Sequence, residues 1–136
     1  HVPAATMLAM AERTDLILYD LKIMDPDRHR ELLGVDNALI LANLEKLTTA
    51  GHEVIVRLPL VPGMTDDPAN LEAAADFVAG LHLPCPVELL PFHDLGRDKY
   101  GRLGREYALG EQAPAPAGVA AAAAPFTAQG LEVLGG

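Results

Sequence analysis

The sequence predicts an α/β fold built from parallel βα units. Three observations carry that expectation. Three short runs rich in apolar and β-branched residues recur at Leu16 to Tyr19, Val54 to Leu58 and Val87 to Leu90, each of strand length. Between consecutive runs lie segments long enough for a helical crossover, which parallel pairing requires and hairpin pairing does not. Each run also ends in proline or in charged groups unsuited to a core, as expected where strands deliver side chains to a ligand mouth.

Taken in order, Pro3 to Arg13 opens with proline at a plausible first helical position and continues in helix formers. The first strand follows, within Thr14 to Lys22. Side chains two apart on a strand share a face, so Leu16, Leu18, Asp20 and Lys22 should point together, with an acid and a base leaving the core at one end. Asp25-Pro26-Asp27 then reads as a helix cap with proline at the first position, and Gly34 as the stop. A second helix should be capped by Asp36 or Asn37, run through Leu39, Leu41, Leu44 and Leu47, and close at Gly51. The strand Glu53 to Leu58 comes next, with Pro59 and Pro62-Gly63 expected to end its pairing.

The pattern repeats with Asp66 or Asp67 capping an Ala-rich helix that starts at Pro68 and reaches about Leu81. A third strand, Val87 to Leu90, ends at Pro91 and delivers Phe92-His93-Asp94. Residues 94–110 are glycine-rich and charged, in keeping with a surface loop, and residues 111–118 form a Pro/Ala linker. The alanine run Ala120 to Ala124 predicts a terminal helix, broken or restarted at Pro125, ahead of a last apolar piece from Leu131 to Leu134. Two regions are therefore expected: residues 1–110 as the βα array, and residues 111–136 as linker, terminal helix and tail.

Composition narrows the function classes. The chain has 136 residues, half of them apolar, enough for one domain with a core. A formal charge of -9 argues against nucleic acid and anionic membrane surfaces as partners. The sequence has no run of eighteen apolar residues and no signal-like segment, so a cytoplasmic setting is the default expectation. A single cysteine, Cys85, excludes an internal disulfide and any multi-cysteine metal or cluster site supplied by this chain alone. Set between two prolines with no activating partner in view, it is expected to be inert.

Asp20, Lys22, Arg57 and His93 stand at the ends of three successive strands and should converge. An arginine in an apolar strand must find an anion, because an unpaired buried charge costs several kcal/mol, roughly. For Arg57 that anion is either Asp20 or the carboxylate of a ligand. His93 is either a hydrogen-bonded loop residue or a ligand contact. Glu88 either faces the helix layer or pairs with a neighbour, while His29, His52 and His82 are expected to be solvated on or beside helices. Capping explains Asp66 and Asp67 more simply than metal binding.

Four blocks, DLILYDLK (Asp15 to Lys22), LLGV with NALILANL, VIVRLPLVPGMTDD (Val54 to Asp67) and ELLPFHDLGRDKYGRLGREY (Glu88 to Tyr107), resemble the C-terminal half of glycyl-radical-enzyme activating enzymes. Those of pyruvate formate-lyase, in the radical S-adenosylmethionine superfamily, are among them. The resemblance covers roughly residues 1–107 in order and spacing. It implies the C-terminal half of a partial (β/α)6 barrel, of which this chain holds the last three of six strands. It further implies a [4Fe-4S] cluster that cleaves S-adenosylmethionine, giving a deoxyadenosyl radical that takes a hydrogen atom from a glycine of a partner enzyme. A reductant such as flavodoxin or ferredoxin would serve it.

The matching positions acquire tasks by the same resemblance. Lys22 and Arg57 would meet the methionyl and ribose portion, including the carboxylate, and Asp20 the ribose hydroxyls or a cation. His93 would contact the nucleoside, and Leu90 would wall the adenine. The three-cysteine loop that holds the family's cluster is absent from this chain, so the cluster is expected only with an N-terminal half, and the chain alone should be inactive. The alternative reading is a non-catalytic βα binding or interaction module that has lost the cluster domain. A third, an unrelated barrel fragment binding a phosphorylated metabolite, lacks any phosphate-cradling glycine loop after a strand.

Overall fold

In a computed structural model of the chain, residues 2–92 and 118–134 are described. Their elements are α1 (Ala4–Ala11), β1 (Ile17–Asp20), α2 (Pro26–Leu33), α3 (Ala38–Thr49), β2 (Val54–Leu60), α4 (Pro68–Ala79), β3 (Val87–Pro91), α5 (Val119–Ala128) and β4 (Val133–Leu134). The strands form one parallel sheet in the order β1-β2-β3-β4. Neighbours in sequence are thus neighbours in space throughout.

Alternation within the strands sorts the side chains into two faces. Tyr19 of β1, Val54, Val56, Leu58 and Leu60 of β2, and Val87 and Leu89 of β3 are buried. They form one core with Leu44 and Leu47 of α3, Leu71, Ala74, Ala75 and Val78 of α4, and Ala122 and Phe126 of α5. Each large aliphatic side chain buried there contributes about 1.5–3 kcal/mol. The other face carries Leu18, Asp20, Ile55, Arg57, Glu88 and Leu90, none of which is buried, and among the described residues no helix contributes to that side of the core. Leu16 and Leu18 are 46% and 50% exposed, so β1 is covered on one side only.

Local signals set most boundaries as expected. The Asp25 carboxylate accepts from the Arg28 amide at 2.7 Å and caps α2, which ends at Gly34 with φ of 81°, a left-handed backbone that glycine adopts without cost. Asp67 caps α4, accepting from the Ala69 amide at 3.1 Å, with Pro68 at the first helical position.

Several departures are instructive. β2 continues through Pro59 instead of stopping there. Val56 donates to Pro86 on the β3 side, so the absent N–H of Pro59 faces the β1 side, beyond the last β1 pair, Asp20 with Arg57, where no ladder bond is required. α5 runs uninterrupted through Pro125. The proline removes one intrahelical bond, and the full burial of Ala122 and Phe126 on either side of it holds the helix to the core. The final apolar piece forms a fourth strand beside the three expected ones, Val133 pairing with Val87 and Leu134 with Glu88.

Candidate functional site

Strand register brings the first two candidate residues together. Asp20 and Arg57 are paired positions on β1 and β2, on the helix-free face. Arg57 donates to the Oδ1 of Asp20 through Nε at 2.9 Å and approaches the same oxygen through Nη2 at 2.7 Å. The Arg57 side chain remains 31% exposed and that of Asp20 41%, so water screens the pair. Of the two anions open to Arg57 from the sequence, the intramolecular one is present. Among the described residues Nη1 of Arg57 has no acceptor and Oδ2 of Asp20 no donor, which leaves both groups able to bind something further.

The register row extends to Glu88, which pairs with Arg57 on β3 and lies on the same face, not toward the helices. Acid, base and acid therefore stand side by side across three strands. One row on, Leu90 sits beside Pro59 and supplies an apolar border. Lys22 lies two residues past Asp20, exposed, with no side-chain partner among the described residues. His93, and with it the loop expected at 94–110, lies outside the described residues.

The chain carrying Lys22 is tied down from behind. Asn70, in the first turn of α4, accepts from the Met24 amide at 2.7 Å and donates to the Lys22 carbonyl at 2.9 Å and the Thr65 carbonyl at 3.0 Å. Asn37 donates to the carbonyls of Ile23 at 3.0 Å and Met24 at 2.6 Å. Thr65 in turn hydrogen-bonds the Pro59 carbonyl and accepts from the Val61 amide at 2.7 Å. His29 is only 3% exposed, its Nδ1 2.6 Å from the Val35 carbonyl, so the expectation of a solvated histidine fails here. A carbonyl accepts only, so Nδ1 carries the proton.

A cleft of about 290 Å³ opens beside the end of β1, bordered by Asp20, Lys22, His29, Asn37 and Ile40. A larger groove of about 870 Å³ lies between α2 and α4, around Arg28, whose guanidinium is held by Asp67 at 2.8 Å and the Gly63 carbonyl at 2.9 Å. Neither space is lined by Arg57, Glu88 or Leu90; the smaller one meets the charged row at Asp20 and Lys22, and that contact makes it the better candidate. Among the described residues no group of three or more His, Cys, Asp or Glu side chains could hold a metal ion. Cys85 is buried, and burial raises its thiol pKa, in line with the inert thiol expected.

Several proteins similar in sequence are activating enzymes. Over 135 residues the chain is 38% identical to the pyruvate formate-lyase 2-activating enzyme of Escherichia coli, a match that spans 98% of the chain and 46% of that protein. The chain belongs with the glycyl-radical-enzyme activating enzymes, in their C-terminal half. The (2S)-3-sulfopropanediol dehydratase activating enzyme of Klebsiella oxytoca is 39% identical over 110 residues, 79% of the chain and 34% of that enzyme. The benzylsuccinate synthase activating enzyme of Thauera aromatica is 39% identical over 129 residues, 90% of the chain and 38% of that enzyme.

A crystal structure of a domain of pyruvate-formate lyase-activating enzyme from Bacteroides vulgatus superimposes with a TM-score of 0.73 at 28% identity, over 97% of the chain and 74% of that domain. No family model matches. The chain spans less than half the length of the curated activating enzymes it matches. Sequence reasoning gave Asn70 and Thr65 no role and offered Asn37 only as an alternative to Asp36 for the cap of α3; of that pair it is Asp36 that accepts from the Ala38 amide, at 3.1 Å. Only the fold shows the side chains of Asn37 and Asn70 turned toward the segment after β1, and that of Thr65 toward the end of β2.

Proposed function

We propose that this chain supplies the C-terminal part of the S-adenosylmethionine site of a radical activating enzyme that acts on a glycyl radical enzyme. The observation that carries the reading is the row Asp20-Arg57-Glu88 on a helix-free sheet face, with Lys22 beside it. Sequential strand order with the described core helices on one side is the layering of a barrel sector, whose C-terminal strand ends form the ligand mouth, and it supports the partial (β/α)6 barrel. A doubly wound sheet would carry helices on both faces.

Charges at this face suit a zwitterionic nucleoside sulfonium. Lys22 and the free Nη1 of Arg57 offer donors to the methionyl carboxylate. The second carboxylate oxygen of Asp20 offers an acceptor for ribose hydroxyls, and Leu90 an apolar border for adenine. Because Asp20 already holds Arg57 in place, the guanidinium is oriented before the ligand arrives, which lowers the ordering cost of binding. His93 is assigned to the nucleoside by the family resemblance.

A bound [4Fe-4S] cluster would supply the reducing electron for cleavage of S-adenosylmethionine. One buried cysteine cannot furnish its thiolates, so the residues present do not fit the cluster, and this chain's part is to bind and orient the ligand. Calorimetric titration of S-adenosylmethionine into the chain tests the reading. Lys22→Ala and Arg57→Ala are each expected to weaken binding by about 1–3 kcal/mol, the worth of a charge-assisted contact. No binding by the unaltered chain, or affinity unchanged from it in both variants, refutes the assignment. After anaerobic iron-sulfur reconstitution the chain alone is expected not to cleave S-adenosylmethionine, and robust cleavage by it overturns its status as half a site.

A further inference from the structure

Lys22 has a long, rotamer-rich side chain and stands just past the end of β1, where the strand ladder no longer holds its backbone. A contact from such a position is useful only if the backbone beneath it is fixed. Asn70 and Asn37 do this between them. They engage the Lys22 carbonyl, the Ile23 carbonyl, and both the amide and the carbonyl of Met24, so three consecutive residues are held by two side chains that come from the starts of two different helices. Both asparagines are buried, at 6% and 4% exposure.

Neither side chain is spent on its own helix. Asn37 occupies the cap position of α3 and makes no side-chain capping bond there. Asn70 also reaches Thr65, whose hydroxyl bonds the Pro59 carbonyl, so the segments following β1 and β2 are joined at one point. The distance between Lys22 and the β2 end is therefore set inside the protein and not by a ligand.

Resting on the ligand site described above, we propose that Asn70 and Asn37 are positioning residues that fix Lys22 for S-adenosylmethionine. Loss of either leaves backbone groups without partners and frees the segment to sample other conformations. Asn70→Ala is expected to weaken binding of S-adenosylmethionine about tenfold by calorimetry. Combined with Lys22→Ala it should cost no more than Lys22→Ala alone, because it acts through that side chain. Additive losses instead assign Asn70 a general structural role and overturn the proposal.

Amide hydrogen exchange gives a readout that does not need the ligand. The Met24 amide should be protected in the unaltered chain and in Lys22→Ala, and should exchange at least about tenfold faster in Asn70→Ala as its bond is lost. Unchanged Met24 protection in Asn70→Ala overturns the proposal. Asn37→Ala keeps the Asn70 bonds and removes only the donors to Ile23 and Met24; it serves should Asn70→Ala not fold, and affinity in it equal to that of the unaltered chain overturns the proposal. If Lys22→Ala alone leaves binding unchanged, the ligand-site reading falls and the positioning role with it. If Lys22→Ala weakens binding and Asn70→Ala does not, only the positioning role falls.

Discussion

Whether Arg57 is bound up in the fold or available to a ligand turns on the strength of its pairing with Asp20, and a double-mutant cycle measures it. The two contacts, 2.9 and 2.7 Å to one carboxylate oxygen, would be worth several kcal/mol in a dry interior. With roughly a third of each side chain in water, that figure is discounted heavily, and exposed pairs measured by such cycles give about 0.2–1 kcal/mol. Two-point contact and a register that aligns the partners place the expectation at the upper end, about 1 kcal/mol. Urea unfolding of the unaltered chain, Asp20→Ala, Arg57→Ala and the double variant yields the coupling. Raising salt from 0.1 to 1 M shortens the screening length from about 10 to about 3 Å and should reduce it. A coupling above about 3 kcal/mol that ignores salt marks a structural ion pair closed to ligands, which refutes the reasoning. A coupling of zero refutes the pairing itself.

Two further outcomes test other parts of the fold. Tyr19 donates to the Ile40 carbonyl at 2.7 Å, and burial pushes its phenol from 10.0 up to about 12. Below pH 10 the phenol is neutral folded or unfolded, and its contribution is fully present. Between pH 10 and about 12 the unfolded chain ionises first, so stability should fall by up to about 3 kcal/mol, and Tyr19→Phe should lack that component of the urea-midpoint profile. Identical profiles in the two proteins would show that Tyr19 is not held protonated by burial. Phe126 is fully buried against the sheet core, so Phe126→Ala should destabilise by about 3–5 kcal/mol, read as a lower melting temperature; a change under about 1 kcal/mol would mean that α5 is not part of the core.

Features governed by short-range rules were legible in the sequence, and those made by distant partners were not. Alternation alone put Leu16, Leu18, Asp20 and Lys22 on one face, and capping chemistry marked α2 and α4 at Asp25 and Asp67. The convergence of Asp20 and Arg57 was expected from parallel strand ends, because register follows once neighbouring strands are in order. Burial of His29 was illegible, since it depends on the Val35 carbonyl after the αL turn at Gly34. Asn70 reaches residues 46 and 48 positions away in sequence, and nothing near it hints at that. A proline normally demotes a strand, so continuation of β2 through Pro59 needed knowledge of which side its missing donor would face. The two-residue strand β4 is too short for any periodicity to announce.

That short strand has a consequence for how the sheet can grow. The β3 side is occupied by the chain's own Val133 and Leu134, while on the β1 side no strand pairs among the described residues. Leu21 turns its amide toward β2, so by alternation Leu18 and Asp20 turn their backbone groups outward along that margin. Among the described residues β4 thus shields the first two positions of β3, while the outer side of β1 is open along its length. A strand joining β1 in parallel must arrive with its own C-terminal end beside Asp20, so the residues that follow it are delivered next to Lys22. Polarity at a single edge thereby decides which end of any added βα unit lies beside Asp20 and Lys22, where the proposed ligand site stands.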